Sequence, residues 1–237
     1  RRRRRRREHG RGGLVLLRAR LRPAPARAGR RAGGPYMTYQ RFPKDVTPGE
    51  KILLDDGKLI FEVTATDKKE KVTTKVLQGG PFKSKKGVNL PNTNISLPAL
   101  TEKDVEDAIF AIKQQVDWLA LSFVRNSDDL IGLQNLIEEH SDHKIPIISK
   151  IEKPEALENI DKIIAYSDGL MVARGDLGVE VPAAEVPLIQ KQLINKAKKA
   201  RIPVIIATQM METMIDSLTA TRAEVNDVAN SVMDGAD

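Results

Sequence analysis

Two short charged segments each follow an apolar run, and their residue types suit the binding of an anion through a metal. Lys150-Ile151-Glu152 follows the run 145–149, and Ala173-Arg174-Gly175-Asp176 follows the run at 169–172. Both runs are short, rich in branched residues and bounded by Pro or Gly, which is typical of strands buried on both faces. The carboxyl ends of parallel strands are where α/β folds bind ligands. A lysine and two carboxylates there would suit an anionic substrate held through a divalent metal, with ordinary surface ion pairs as the alternative.

The elements that would position these segments alternate between helix and strand from Thr101 onward. Helices are expected at 101–116, 130–137, 154–165, 186–197 and from 221 on, and strands at 118–123, 145–149, 169–173 and 203–207. Thr101 and Thr221 each precede an acid by three residues, which is typical of a capping box at a helix start. Repeated βα units predict a parallel sheet with right-handed crossovers, and four units amount to half of a (β/α)8 TIM barrel.

A small β domain is expected ahead of this α/β region. The turn Asp55-Asp56-Gly57 separates apolar runs at 52–54 and 59–63, which is the pattern of a β-hairpin. A further alternating strand at 72–77 ends at Gly79-Gly80-Pro81. The predicted fold class is therefore α/β, and the predicted divisions are a tail at 1–35, a small inserted β lid domain at 36–98, and a partial TIM barrel of about four βα units at 99–237.

Residues 1–34 differ from the rest of the chain in composition and charge. They contain fourteen Arg and one Glu, a net charge of +13, so the remaining residues carry −6 of the total of +7. Such a low-complexity segment buries too little apolar surface to fold, and we expect an N-terminal disordered tail. We interpret it as sequence foreign to the domain that follows. Nucleic-acid binding, a signal peptide and a transit peptide are the alternatives, although the segment has no Ser and its apolar run at 14–17 is short.

Composition limits the remaining possibilities. The 237 residues are 41% hydrophobic, which is ordinary for a globular protein with a sizeable core. The absence of cysteine excludes disulfides and thiolate metal sites and fits a reducing compartment, so we expect a cytoplasmic protein. The apolar runs are too short to span a bilayer, and no membrane partner is expected. His9, His140 and His143 lack the spacing of metal ligands.

Six segments together resemble the signature segments of the pyruvate kinase family. They occur in that family's order and spacing, and the resemblance covers about residues 36–237. The barrel segments are ISKIEK at 148–153, MVARGDLG at 171–178, ATQM at 207–210 and TRAEV at 221–225, and the lid segments are LDDG at 54–57 and KKGVNLP at 85–91.

The resemblance implies phosphoryl transfer from phosphoenolpyruvate to ADP, giving pyruvate and ATP in glycolysis. By similarity, Lys150 stabilises the transferring phosphoryl group and the developing enolate, and Thr208 binds substrate near the carbon that is protonated. Glu152 and Asp176 resemble the carboxylate ligands of Mg²⁺, or Mn²⁺ in its place. The backbone N–H groups of Gly175 and Asp176 would hold the substrate carboxylate, because glycine lets an anion approach the backbone closely.

Two further residues are candidates on the same resemblance. Ser122, at the end of the first barrel strand, is a candidate for substrate binding. Lys86 in the lid would reach the nucleotide phosphates. Lys83, Lys85 and Lys86 together would alternatively form only a solvated charged face.

The chain also departs from the family's pattern. Three barrel strands that precede the lid in the family, the eighth strand and the C-terminal regulatory domain have no counterpart in these residues. We therefore expect a fragment from the middle of a pyruvate kinase, with the K⁺ site and part of the substrate clamp largely missing. Little or no turnover is expected from this chain alone. The family is usually homotetrameric, an assembly that a fragment need not share.

Two other functions stay open at this point. The first is another metal-dependent barrel that handles phosphoenolpyruvate or pyruvate, such as an aldolase or lyase, against which the lid segment at 85–91 argues. The second is a nucleic-acid-binding protein driven by the arginine tail. A salt titration of RNA binding with and without residues 1–34 would distinguish it from a pyruvate kinase.

Overall fold

The described part of the chain forms two sheets, each with its own hydrophobic core. The computed structural model describes residues 39–81, 86–91, 93, 95–96, 98 and 100–237, together with the backbone of Arg20–Pro23. Within these residues one sheet has five strands and the other has four. The predicted disorder of the tail lies outside the described residues, except that Arg20–Pro23 is described as a strand, which the sequence did not predict.

The five-stranded sheet belongs to the region predicted as the lid. Its elements in chain order are β1 (Arg20–Pro23), α1 (Phe42–Asp45), β2 (Lys51–Leu54), β3 (Leu59–Thr66), β4 (Lys71–Gln78) and β5 (Val88–Asn89). The strand order is β1-β4-β3-β2-β5, and β1 is parallel to β4 whereas the other pairs are antiparallel. The predicted hairpin and third strand are present, and the division of the chain at 98 stays a prediction.

The hairpin turn between β2 and β3 carries two acidic residues in a left-handed backbone conformation. Leu54 pairs with Leu59 across it. Asp55, Asp56 and Gly57 all adopt positive φ, at 52°, 58° and 79°. Asp and Gly tolerate this left-handed region better than other residues, which explains why this turn carries an Asp-Asp-Gly sequence.

The four-stranded sheet confirms the predicted alternation of helices and parallel strands. Its elements are α2 (Glu102–Lys113), β6 (Leu119–Leu121), α3 (Ser127–His140), β7 (Ile147–Ile151), α4 (Pro154–Glu158), α5 (Ile160–Ala165), β8 (Gly169–Ala173), α6 (Arg174–Glu180), α7 (Val186–Ala200), β9 (Val204–Ala207) and α8 (Arg222–Asp234). The strands lie in the order β6-β7-β8-β9 and all neighbours are parallel. Both predicted capping boxes are formed, at Thr101 with Asp104 and at Thr221 with Glu224.

The boundaries differ from the predictions at two places that matter for the site. Strand β7 continues to Ile151 because Ile151 is buried and pairs with Val172, so Lys150 lies within the strand instead of after it. The helix predicted at 154–165 is divided at Asn159, whose side chain donates hydrogen bonds to the carbonyl oxygens of Arg125 and Glu155.

The core beneath the parallel sheet is built from the strands and one face of each helix. Most apolar side chains of β7 and β8 are buried, but Ile148 and Met171 are only partly buried, so these strands are less completely covered than the continuous apolar runs predicted. The most deeply buried members are Leu130, Ile147, Ile151, Ile163, Leu170, Leu177 and Ile194. This packing fixes the strand ends, and hence the polar residues that follow them.

Candidate active site at the carboxyl edge of the parallel sheet

The carboxyl ends of neighbouring strands bring the predicted site residues to one edge of the sheet. The register pairs Leu121 with Ser149, Ile151 with Val172 and Ala173 with Ala207. The polar residues at or just beyond these positions are Ser122, Lys150, Glu152, Gly175, Asp176 and Thr208.

Lys150 lies between two other predicted site residues. Its Nζ donates a 2.9 Å hydrogen bond to Ser122 Oγ and forms a 2.8 Å ion pair with Glu152 Oε1. The side chain is 25% exposed, so the ammonium group is held in place from two sides and still open to a ligand. A fixed, partly desolvated cation at a strand end is suited to stabilising negative charge on a bound anion.

Glu152 is a buried carboxylate with an incompletely satisfied oxygen. Its side chain is 1% exposed, and Oε2 accepts a 2.6 Å hydrogen bond from the backbone N–H of Phe123. Oε1 has the ion pair with Lys150 but no regular hydrogen bond. Burial raises the pKa of Glu152, the ion pair with Lys150 and the Phe123 N–H oppose this, and the nearby charge of Asp176 raises it further.

The chemistry of these two acids fits a divalent cation. Glu152 offers a buried oxygen, Oε1, whose polar contact is the ion pair with Lys150, and Asp176, in the first turn of α6, is half-buried and close enough to shift the Glu152 pKa. Mg²⁺ prefers one or two carboxylates together with water and substrate oxygens. Among the residues that the structure describes, no three His, Cys, Asp or Glu side chains form a metal-binding group, so any metal here would depend on this pair.

Gly175 and Thr208 contact each other directly. The Gly175 N–H donates a 2.7 Å hydrogen bond to Thr208 Oγ1. A Cβ atom at position 175 would lie 2.9 Å from that same oxygen, so only glycine permits this approach. The N–H group is therefore already engaged in this conformation, and the Thr208 hydroxyl proton is left free to be donated elsewhere.

Arg174 is part of the site's structure, and sequence reasoning assigned it no role. It is 8% exposed and its guanidinium group contacts Asp227 on α8 and the carbonyl oxygens of Thr208 and Gln209. The sequence feature that could have indicated a structural role for Arg174 is its position directly after a fully apolar strand, where an unpaired charge would be costly. Its partner, 53 residues away, could not be identified from spacing.

Lys86 in the lid lies next to the hairpin tip. Its Nζ forms a 2.8 Å ion pair with Asp55 Oδ1, and this hydrogen bond raises the pKa of Lys86. Lys83 and Lys85, which were weighed with it, lie outside the described residues. The predicted contact of Lys86 with a nucleotide stays a prediction.

The lid and the barrel region meet at a buried carboxylate. Glu180 Oε1, at the end of α6, accepts a 2.9 Å hydrogen bond from Asn89 Nδ2 in β5 and a 2.6 Å hydrogen bond from Lys153 Nζ. The Glu180 side chain is 1% exposed. These contacts hold β5 against the same edge of the barrel that carries the site.

A cleft of about 810 Å³ opens between the lid turn and the carboxyl edge of the sheet. Gly175, Asp176 and Thr208 line it on the barrel side, and Asp56 lines it from the lid. The cleft therefore joins these three predicted site residues to the lid turn that Lys86 contacts, whereas Lys150, Glu152 and Ser122 do not line it. Every helix in the described part of the chain is too short or too polar to cross a bilayer.

These features define a class of protein: a parallel α/β domain of the barrel type, with a cation and a carboxylate pair at the carboxyl edge and a small β lid beside it. The family model of the pyruvate kinase barrel domain matches residues 30–237. The chain belongs to the pyruvate kinase family.

Individual relatives agree with this family. The pyruvate kinases of Bacillus licheniformis and Geobacillus stearothermophilus are each 52% identical to the chain over 202 residues, which is 85% of this chain and 34% of theirs. The pyruvate kinase of Mycobacterium tuberculosis (strain CDC 1551 / Oshkosh) is 48% identical over 200 residues, 84% of this chain and 42% of the relative. The chain thus spans between about a third and two fifths of the length of these relatives.

Proposed function

We propose that this chain supplies the metal and phosphoryl-binding part of a site that transfers a phosphoryl group from phosphoenolpyruvate to ADP, giving pyruvate and ATP. The observation that carries the proposal is the position of Lys150 Nζ, held between Ser122 Oγ and the buried carboxylate of Glu152. Phosphoryl transfer requires charge stabilisation and positioning more than covalent chemistry from the protein. A glycolytic, cytoplasmic role follows from the same proposal.

The residues at the strand ends have separable tasks. Lys150 places its positive charge on the transferring phosphoryl group and the developing enolate, because a preorganised cation acts most strongly where water is excluded. Ser122 holds the ammonium group from the other side. The Thr208 hydroxyl accepts the Gly175 N–H and so directs its own proton outward, towards a bound substrate.

Glu152 and Asp176 would hold Mg²⁺ or Mn²⁺. When bound, the metal supplies Lewis-acid stabilisation of substrate oxygens. Burial raises the pKa of Glu152, and because a metal binds the ionised carboxylate, metal affinity should increase as the pH rises. The K⁺ ion that the resemblance also implies has no residues assigned to it here. Lys86 is proposed to contact the nucleotide phosphates after releasing Asp55.

Metal binding tests the first part of the proposal. Calorimetric titration of the chain with Mg²⁺ or Mn²⁺ should show weak binding that falls in Glu152→Gln and in Asp176→Asn. Asp161→Asn is the matched control, because this acid is 80% exposed and lies away from the strand ends. Unchanged affinity in both site variants would remove these two residues from the metal site.

Turnover tests the second part. In a coupled assay with ADP, phosphoenolpyruvate, Mg²⁺ and K⁺, the 237-residue chain alone is expected to fall far below the ordinary kinase range of roughly 1–100 per second, because loss of substrate positioning alone costs orders of magnitude. The same segment joined to the remaining barrel strands of a relative should turn over, and Lys150→Met should then remove most of the activity. Retained activity in that variant would contradict the role given to Lys150.

A further inference from the structure

Arg174 directs three of its six hydrogen bonds to a single short loop. Its Nη2 donates to the carbonyl oxygens of Thr208, at 3.0 Å, and Gln209, at 2.9 Å, and its Nε reaches the Thr208 oxygen at 3.3 Å. On the opposite side, Nη1 and Nη2 donate to the two carboxylate oxygens of Asp227 at 2.7 Å and 2.8 Å. The guanidinium group therefore bridges helix α8 and the loop that follows β9.

That loop has an uncommon backbone conformation. Thr208 and Gln209 adopt φ of 69° and 54°, in the left-handed region. A β-branched residue such as threonine is rare there, and such conformations persist only when the surroundings hold them. The carbonyl contacts of Arg174 fall on these same two residues, so the guanidinium group is the part of the surroundings that holds the peptide planes in this orientation.

The result of that conformation is the placement of one hydroxyl group. Thr208 Oγ1 lies 2.7 Å from the backbone nitrogen of Gly175, the residue that follows Arg174 in the sequence. Arg174 thus contacts the Thr208 backbone with its side chain while the following residue contacts the Thr208 side chain. Both interactions therefore act on the residue that carries the hydroxyl.

We propose that Arg174 is a positioning residue for the Thr208 hydroxyl, and that Asp227 on α8 holds the guanidinium group in the orientation this requires. The catalytic value of the positioning rests on the proposed phosphoryl-transfer function, whereas the positioning itself is a property of the folded chain. Gln190 and Ser231 extend the support, because Gln190 Oε1 accepts from Arg174 Nη1 at 3.3 Å and its Nε2 donates to Ser231 Oγ at 3.2 Å.

The test is Arg174→Lys in the full chain, read at the backbone amide of Gly175. Lysine keeps the positive charge but has a single ammonium group, which cannot make the forked contacts to a carboxylate and two carbonyl oxygens together. We expect hydrogen exchange of the Gly175 amide to accelerate by at least about tenfold, since exchange reports opening of that hydrogen bond. The Gly175 amide proton shift should move upfield, while the amides of Leu170 and Val172 in β8 should keep their protection.

Asp234→Asn provides the matched control. Asp234 pairs with Lys191 at 2.6 Å, so this variant weakens another contact between α7 and α8 without touching the loop after β9. Its Gly175 amide should exchange as in the unmodified chain. If the control accelerates Gly175 exchange as much as Arg174→Lys does, the effect comes from helix docking and the proposal is overturned.

Asp227→Asn keeps the test informative if Arg174→Lys does not fold. The amide matches the carboxylate in size and removes only its charge, so Arg174 retains its carbonyl contacts. Gly175 exchange should accelerate less than in Arg174→Lys but measurably, and an unchanged rate would overturn the part assigned to Asp227. No substrate enters these measurements, so a failure of phosphoenolpyruvate chemistry would leave a positive result intact. An unchanged Gly175 amide in Arg174→Lys would overturn the positioning role whatever reaction the protein performs.

Discussion

Replacing the Glu152 carboxylate by an amide should leave the fold as stable as before or make it more stable. The side chain is 1% exposed, and its burial raises its pKa, so the folded state carries a cost for keeping this group ionised. Glu152→Gln removes that charge and retains an oxygen to accept the Phe123 N–H. Lys150 loses its ion pair but keeps Ser122 and its access to water.

The balance can be worked out from these contacts. A hydrogen bond to a charged acceptor contributes about 1.5–3 kcal/mol against about 0.5–1.5 kcal/mol for a neutral one, so the amide loses about 1 kcal/mol at Phe123. Burial of a paired charge costs several kcal/mol, and replacing a whole buried pair is commonly neutral or stabilising by about 1–4 kcal/mol, whereas removing one partner is costly when the other charge stays buried. Lys150 is 25% exposed and keeps Ser122, so that cost is small here. We therefore expect the Glu152→Gln free energy of unfolding at pH 7 to equal that of the unmodified chain or exceed it by up to about 2 kcal/mol.

Glu152→Ala is the contrasting variant, because it leaves the Phe123 N–H without an acceptor and opens a cavity. It should lower the free energy of unfolding by about 2–4 kcal/mol. Urea titrations followed by circular dichroism measure both variants. A loss of more than about 2 kcal/mol in Glu152→Gln at pH 7 would show that the ionised carboxylate stabilises the fold and would refute the reasoning.

The dependence on pH provides a second check on the same prediction. The pKa of Glu152 is raised in the folded state above its ordinary value of 4.5, so the folded chain binds this proton more tightly than the unfolded chain. Below pH 4.5 both states carry the protonated acid, and the chain should match Glu152→Gln. As the pH rises from there through the raised pKa, the unmodified chain should lose stability relative to the variant. The opposite trend would mean that the ion pair with Lys150 outweighs burial.

Three further predictions concern other parts of the chain. Gly175→Ala should lower the free energy of unfolding by about 1–3 kcal/mol, because the added Cβ would lie 2.9 Å from Thr208 Oγ1. In a double-mutant cycle measured by calorimetry, the same substitution should cost less in a Thr208→Ala background. Hydrogen bonds from Thr213 and Thr221 lower the pKa of Glu224 to about 2. The ionised carboxylate should therefore stabilise the fold fully above pH 4.5, and this stabilisation should be lost as the pH falls towards 2. The melting temperatures of the unmodified chain and of Glu224→Gln should converge over that range. Deleting residues 1–34 should change the melting temperature by less than about 2 °C, because the lid core is formed by side chains from Tyr39 onward; a larger shift in differential scanning calorimetry would assign β1 a stabilising role.

Local sequence patterns correctly predicted those helices, strands and turns that are stabilised by interactions between residues close in sequence. Strand β8 begins and ends where its apolar run predicted, and the capping boxes at Thr101 and Thr221 form with the acids three residues on. The hairpin at Asp55 follows from residues that tolerate positive φ. Each of these features depends on interactions within a few residues, which a sequence displays directly.

The features that were missed depend on partners distant in sequence. Apolar spacing continues through Asn159, so a single helix was predicted; the break is stabilised by the carbonyl of Arg125, 34 residues away. Strand β1 pairs with β4 about fifty residues further along, and an arginine-rich segment carries no strand signal of its own. For the site, motif resemblance identified the residues at the strand ends but not the contact of Gly175 with Thr208, which exists only when two strands are in register.

The geometry of the site also explains why charged residues at these strand ends are compatible with a stable fold. Lys150, Glu152 and Arg174 are all partly or wholly buried, and each would be costly alone. Each is instead paired: Lys150 in β7 with Glu152 just beyond the end of that strand, and Arg174 with Asp227 on α8. The pairs differ in one respect. The guanidinium group of Arg174 makes six hydrogen bonds to protein groups, whereas each Glu152 oxygen has a single polar contact and a quarter of the Lys150 side chain is exposed. A fully satisfied charge supports structure, whereas an incompletely satisfied one can still bind a ligand. We therefore propose that the capacity for ligand binding at this edge resides in Lys150 and Glu152, and that Arg174 holds the neighbouring loop in place.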